Sequence, residues 1–178
     1  MAQAAEAKHE TAILAGGCFW CLQHPFDHLN GVISTVVGYT GGHTKDPTYE
    51  ETSAGNTGHY EAIKIIYDPS KVSFKEILEV FWKNIDPFDA KGQFCDKGDQ
   101  YRAAIFYLTK GQQEMALASK KDMATVLGRD LVTEVVPATT FYEGEDYHQK
   151  YYIKNPLRYK FYRYNCGRDK RLQEIYKK

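Results

Sequence analysis

Two extended runs with no helix between them set the strongest limit on what this chain can become. Val32 to Thr40 is β-branched and aromatic and stops at Gly41-Gly42, while His59 to Tyr67 alternates along its length, so both read as strands. The polar, turn-rich stretch from Gly41 to Gly58 joins them, and a loop of that length is functional or disordered rather than a crossover helix. Parallel neighbours need a crossover, so a mixed, largely antiparallel sheet is expected. The remaining elements fit around it. Thr11 to Ala15 is a short strand ended by Gly16-Gly17, which turns into a helix carrying Cys18 near its start and kinked or delayed by Pro25. Ser73 and Glu76 form a capping box, and Phe74, Ile77, Leu78, Phe81, Trp82 and Ile85 follow at helical spacing. The Phe81 and Trp82 stripe reads as core. Tyr101 to Leu108 is a strand, Gln112 to Leu127 a helix opened by Thr109, and Leu131 to Pro137 another strand. After Tyr142 the segment EGEDYHQKYYIKN predicts one more short helix. The expected fold is α+β, a two-layer sandwich with a ferredoxin-like core.

A chain of 178 residues, 43% of them hydrophobic, can bury roughly 70% of its unfolded surface around a single core. There is no internal repeat. Residues 1–10 read as a mobile arm and 11–178 as one domain with a C-terminal extension. Lysine plus arginine equals aspartate plus glutamate, 23 against 23, so nothing favours a polyanion and nucleic acid is not expected as a partner. The basic run from Arg158 to Lys178 interleaves Asp169 and Glu174 and reads as a solvated face. No apolar run approaches the roughly 18 residues of a membrane span, and MAQAAEAKHE lacks the order of a secretory signal. A cytoplasmic monomer without metal or cofactor is expected. Four unevenly spaced cysteines in a chain of this length read as reactive or spare thiols rather than a disulfide framework.

The sharpest chemical feature is GGCFWC, Gly16 to Cys21, at a strand-to-helix turn. Unpaired amides and the helix dipole there favour a thiolate, which makes Cys18 a candidate nucleophile rather than an inert buried cysteine. Cys-x-x-Cys also fits a thioredoxin-like redox pair or half of a zinc site. A zinc site wants a second pair, whereas Cys95 and Cys166 are single and far apart in sequence. Phe19 and Trp20 are bulky for a site that must admit another protein's disulfide. Two aromatics beside a thiolate form a small apolar cage suited to a methyl group.

These motifs, together with GYTGG at Gly38, PTYEE at Pro47, TGHYEA at Thr57, DQYRAAI at Asp99, YHQKY at Tyr147 and KNP at Lys154, run in order over most of the chain. The sequence thereby resembles the peptide methionine sulfoxide reductase A family. The resemblance implies that Cys18 is the nucleophile and Glu61 the acid catalyst. It also implies that Phe19 and Trp20 hold the substrate's methyl group, that Tyr49 and Tyr101 bond the sulfoxide oxygen, and that Asp96 is an acidic site residue with a less direct role. His59 and His148 lie within matching motifs as supporting residues. The implied substrate is methionine S-sulfoxide, free or in oxidised proteins, and the implied reductant is thioredoxin. The other readings are a thiol-disulfide oxidoreductase and a zinc-binding interaction module.

The residues support the same chemistry. A sulfoxide sulfur is a poor electrophile until its oxygen gains a proton, so a soft nucleophile needs a nearby acid. On strand His59 to Tyr67, Glu61 shares a face with Ile63, Ile65 and Tyr67, where desolvation would keep it protonated. Attack would leave a Cys18 sulfenic acid, which a second thiol must condense with. Many family members carry glycine at the place of Cys21, several place the resolving cysteine just after the NP motif, and many have glutamate where Gln23 stands. Cys21, three residues from Cys18 at helical spacing, is therefore weighed against Cys166 as the resolving thiol, with relay from one to the other open and Cys95 an outsider.

Overall fold

The computed structural model describes residues 8–177. Most of the expected N-terminal arm lies outside the described residues, and Glu10 already belongs to the first strand, β1 (Glu10–Gly16). Then follow α1 (Phe19–Asp27), β2 (Val32–Thr40), α2 (Tyr49–Ser53), β3 (Tyr60–Tyr67), α3 (Phe74–Trp82), β4 (Gly92–Gln93), β5 (Asp96–Lys97) and β6 (Ala103–Tyr107). The chain ends through α4 (Lys110–Leu127), β7 (Glu134–Pro137), β8 (Tyr142–Glu143), α5 (Tyr151–Lys154), α6 (Pro156–Asn165) and α7 (Arg168–Tyr176).

Six strands form one mixed sheet in the order β7-β6-β1-β3-β2-β8, with β4 and β5 a separate small hairpin. Every neighbouring pair of the large sheet is antiparallel except β6 and β7. Those two are joined by the α4 crossover, as parallel pairing requires. Strand β3 is central, and its two faces part as the alternation predicts. Ile63, Ile65 and Tyr67 pack with Leu22 and Phe26 of α1 and with Ile77, Leu78 and Phe81 of α3, while Tyr60 and Ala62 join Ile13 and Phe106 on the opposite face. By the same alternation Glu61 shares the face of Ile63 and Ile65, the one α1 and α3 cover.

Local chemistry explains the helix starts. The Ser73–Glu76 capping box opens α3, the Thr109 hydroxyl accepts from the Gln112 amide at α4, and a second capping box, Thr48–Glu51, opens α2. The last lies inside the stretch read as a loop; its T-x-x-E spacing was the available signal. Helix α3 stops at Trp82 rather than Ile85, yet Ile85 stays buried in the following turn. Tyr101 belongs to a single 3-10 turn, Asp99–Tyr101, ahead of β6, and the segment after Tyr142 becomes β8, another 3-10 turn and the single turn of α5.

Two expectations are corrected. The run from Arg158 to Lys178 is solvated on one face only: Lys160, Lys170 and Lys177 are exposed, whereas Arg168 at 1% and Tyr159 at 6% exposed are buried against the body. Nor are all four cysteines free thiols. Cys95 and Cys166 form a disulfide, so Cys95 is no outsider, and Cys166, as found here, is not available as a thiol. No spacing in the sequence pairs residues 71 positions apart; the β4-β5 hairpin and the end of α6 meet only through folding.

Closing a loop of that size restricts the unfolded chain by about 2–4 kcal/mol. Cys166→Ser should be less stable than the oxidised wild type by about that amount in guanidinium denaturation, and the two curves should converge in dithiothreitol. Coincident curves without reductant would show that the link adds nothing.

Candidate active site

The site starts where β1 ends. Gly17 has φ +80, and a Cβ there would lie 2.5 Å from Gln93, so only glycine makes this turn. Cys18 follows as the residue capping α1, its carbonyl accepting from the amides of Cys21 and Leu22. The Phe19 amide donates to Glu61 Oε2 at 3.0 Å. The helix start thus addresses a carboxyl group on β3.

Cys18, Phe19, Trp20 and Glu61 line one cavity of about 80 Å³ together with Tyr49, Asp96, Tyr101 and Tyr162. The loop after β2 brings Tyr49 at the start of α2, the β4-β5 hairpin brings Asp96, and the 3-10 turn brings Tyr101. Cys18 is 6%, Phe19 1% and Glu61 2% exposed. Next to the cavity, and sharing Trp20, Tyr49 and Tyr162 with it, lies an open groove of about 740 Å³ walled by Tyr147, Tyr151, Phe161 and the Cys95–Cys166 disulfide.

His148, which the motifs placed as a supporting residue, and Glu145, which they did not single out, hold the aromatic wall. His148 Nδ1 accepts from Trp20 Nε1 at 3.0 Å, so its proton sits on Nε2, which faces Glu145 at 3.7 Å. Burial keeps the His148 ring neutral by pulling its pKa down. Trp20 also stacks on Tyr151 with ring centroids 3.8 Å apart. Glu145 accepts from the Tyr49 amide at 2.8 Å and from the Tyr39 hydroxyl at 2.7 Å, fixing the start of α2. The segment carrying both is anchored by Gln149, which bonds the Val37 amide and carbonyl, and by Gln23, which accepts from the Lys150 amide. Gly38 lets β8 approach, since a Cβ there would sit 2.1 Å from the Tyr142 carbonyl. His59 is structural: Nδ1 accepts from Gly42 and Nε2 meets the Thr44 carbonyl, closing the loop after β2.

Tyr162 is the cavity residue that sequence reasoning missed. Its hydroxyl donates to Asp96. The signal was present: Tyr159, Tyr162 and Cys166 share one face of a helix at i, i+3 and i+7. Arg168 was missed as well. Its guanidinium donates to the carbonyls of Gly16 at 3.1 Å and Asn84 at 2.6 Å, and lies over the Phe94 ring.

Electrostatics sort the protons. Burial is the main cause that pushes Glu61 up to about 8, opposed by the Phe19 amide and reinforced by Asp96. Burial likewise raises Asp96, and it raises Tyr49 and Tyr101, which therefore remain hydroxyl donors. The free thiols Cys18 and Cys21 are both buried in one apolar cluster with Tyr151 and Tyr159. Contrary to the helix-start argument, Cys18 is pushed up, first by burial, then by Cys21 and by Glu61. Cys21 is pulled down to about 6, first by the neighbouring Cys18 thiol and then, against burial, by Arg168 and Arg163. Because the negative groups oppose a charge on Cys18 and the positive ones favour one on Cys21, the pair's charge settles on Cys21.

Among the described residues the one cluster with metal-ligand geometry is Cys95, Asp96 and Cys166, whose sulfurs are already joined to each other. No described helix is long and apolar enough to cross a membrane.

A raised carboxyl pKa is a cost of folding that grows with pH. The folded state holds a proton the unfolded state has lost, so stability is greatest below the free value of 4.5 and falls as pH rises toward about 8. Glu61→Gln removes this loss. It should exceed the wild type in stability by roughly 3–5 kcal/mol at pH 9 and by little at pH 5, read from denaturation midpoints; a gap independent of pH would return Glu61 to an ordinary ionised state.

The sequence profile described as peptide methionine sulfoxide reductase matches residues 10–178. The chain is 50% identical over 163 residues to the peptide methionine sulfoxide reductase MsrA of Bacillus subtilis (strain 168), spanning 90% of this chain and 92% of that one. Mxr1 from Saccharomyces cerevisiae in reduced form superposes with a TM-score of 0.81 at 30% identity, over 86% of this chain and 90% of that chain. Mxr1 in complex with Trx2 also superposes, with a TM-score of 0.59 at 20% identity over 84% and 89%. Methionine sulfoxide reductase A of Corynebacterium diphtheriae gives 0.74 at 34% identity, over 84% of this chain and 76% of that one.

Proposed function

Since the chain belongs to the peptide methionine sulfoxide reductase family, we propose that it reduces methionine S-sulfoxide, free or in proteins, to methionine through a sulfenic acid on Cys18, an internal disulfide and thioredoxin. The observation that carries this is the small cavity in which a thiol, a carboxyl group that is neutral at pH 7 and two tyrosine hydroxyls meet beside an aromatic wall.

The methyl group rests between Phe19 and Trp20, and the oxygen takes hydrogen bonds from Tyr49 and Tyr101, which stabilise the charge developing there. Glu61 delivers its proton to that oxygen as the Cys18 sulfur bonds to the sulfoxide sulfur. The oxygen then passes to Cys18: the substrate's sulfur–oxygen bond and the transient sulfur–sulfur bond break as a Cys18 sulfur–oxygen bond forms, methionine leaves, and Cys18 becomes a sulfenic acid; the Cys18 thiol proton restores Glu61. Asp96, hydrogen-bonded to Tyr162, shapes the wall opposite the thiol. Cys21 then condenses with Cys18 and releases water. Among the described residues it is the one free thiol besides Cys18, whereas Cys166 joins the exchange only after its own disulfide opens. Thioredoxin's dithiol reduces the Cys18–Cys21 disulfide.

Residues 11–178 act in this proposal as one catalytic domain, with α5 to α7 laid over the site and a cytoplasmic setting where dithiol reductants are maintained. The architecture is read more finely as a two-layer sandwich with a ferredoxin-like core. The order β6-β1-β3-β2 of four antiparallel strands supports this, with α1 and α3 as the connecting helices.

Cys18→Ser should abolish reduction of methionine S-sulfoxide with dithiothreitol, because a serine hydroxyl is far less nucleophilic; near wild-type activity would sink the proposal. Glu61→Gln should slow methionine release in a single turnover by roughly 100-fold or more while the protein stays folded. Cys21→Ser should still release about one methionine per protein, yet lose turnover driven by thioredoxin. Retained turnover in Cys21→Ser, with loss in Cys166→Ser, would move the resolving role to the C-terminal thiol.

A further inference from the structure

Beside the small cavity lies a groove that the reduction step leaves unused. The cavity, about 80 Å³, closes around the reacting end of the substrate, whereas the adjoining groove of about 740 Å³ shares Trp20, Tyr49 and Tyr162 with it. Pockets of about 300–1,000 Å³ take ligands of drug size, so the groove has room for far more than the remainder of one methionine. With Cys18 only 6% exposed, the oxidised side chain has to enter the cavity, and the backbone that carries it comes to rest in the groove. One side of α6 gives this groove its polar character: Asn155, Arg158, Tyr162 and Asn165 recur at helical spacing and all line it. Two large aromatic side chains beside them are open to solvent, Tyr147 at 50% and Phe161 at 71% exposed. No aspartate or glutamate lines the groove, and Arg158 is its one charged group. Arg163 and Arg171 are bound by Asp169 and Asp86, whereas Arg158 is exposed and makes no ion pair among the described residues. A free amino acid would bring an ammonium group that finds no carboxylate in this groove. An internal residue of a polypeptide brings neutral amides, which the side chains of Asn155 and Asn165 can bond.

We propose that the groove is the subsite for the polypeptide around the oxidised methionine, and that Arg158 selects segments with a carboxylate side chain two residues away from it. This rests on the function proposed above and narrows its substrate class. In an extended segment, side chains two residues apart point to the same side. With methionine in the cavity, the second neighbour, not the first, meets the groove. Arg158 offers a planar set of donors that matches a carboxylate, Tyr147 and Phe161 give the chain apolar contact, and a lysine at the same position would meet like charge. Because Arg158 lines the groove and not the cavity, its effect falls on binding and not on the chemical step.

The test uses alanine-based peptides, blocked at both ends, with a central methionine S-sulfoxide and Glu or Lys two residues before or two residues after it. Single-turnover rates are followed with protein in excess and without reductant, so that the Cys95–Cys166 link in the groove wall stays closed. Methionine S-sulfoxide blocked at both ends serves as the reference. On one side, the Glu peptide should half-saturate at about fivefold lower protein concentration than the Lys peptide in low salt, with the same limiting rate. The difference should shrink as salt is added. Arg158→Gln should abolish it, and Arg158→Glu should reverse it. Equal half-saturation by Glu and Lys peptides on both sides, or a Glu preference that survives in Arg158→Glu, overturns the proposal. So does an Arg158→Glu variant that changes only the thioredoxin concentration needed for half-maximal turnover, since the groove would then serve the reductant. Failure of the wild type to reduce the blocked methionine S-sulfoxide overturns the underlying function instead, which separates the two failures.

Discussion

A carboxyl group placed on the helix-facing side of a central strand makes demands on everything packed near it. Glu61 lies on the same face of β3 as Ile63 and Ile65, and an ionised carboxylate there would lack solvent on every side. The fold compensates only in part, with one backbone amide at the start of α1. A group supplied with fuller hydrogen bonding would ionise as an ordinary acid; one supplied with none would be too costly to bury. The single amide leaves Glu61 between these limits, neutral at pH 7 yet able to give up its proton. The same contact ties β3 to α1, so the acid and the thiol cannot drift apart without breaking the helix start.

Around that contact the protein arranges charge in opposition. Glu61 and Asp96 oppose a charge on Cys18, and Arg163 and Arg168 favour one on Cys21. A helix start alone would favour a thiolate at Cys18, but burial and neighbouring negative charge outweigh a terminal dipole worth about 0.3–1 kcal/mol. The consequence is a division between two sulfurs three residues apart: the one in the cavity stays protonated at rest, and the one behind it carries the charge.

The C-terminal helices supply much of this arrangement. Tyr151 stacks on Trp20, Tyr162 bonds Asp96, and Arg168 reaches the turn before Cys18. None of these contacts is local. They depend on Gln149 and Gln23 holding the preceding segment against β2 and α1, and on the disulfide between the hairpin and the end of α6. The site is therefore a junction of the sheet, the first helix and the tail.

What could be read from residues alone is what short range determines. The alternation of β3, the capping box of α3, the glycine turn before Cys18 and the aromatic pair after it are each set within a few residues by pleat, cap or backbone sterics, and they place Cys18, Phe19, Trp20 and Glu61 on their elements. The motifs also named Tyr49, Asp96 and Tyr101, and the structure brings all of these to one cavity. What the tertiary structure alone decided was everything that depends on residues distant in sequence. Cys95 and Cys166 became a disulfide because folding brings a hairpin to a helix end. A basic tail packed one side against the site because Tyr159 and Tyr162 cluster with Cys18, Trp20 and Cys21 of the α1 start, while its lysines stay in solvent. The charge of the thiol pair moved to Cys21 because desolvation and the net field of groups from several elements overrode the local dipole. Propensity and spacing act along the chain, whereas burial and electrostatics act through space, and only the folded structure specifies that space.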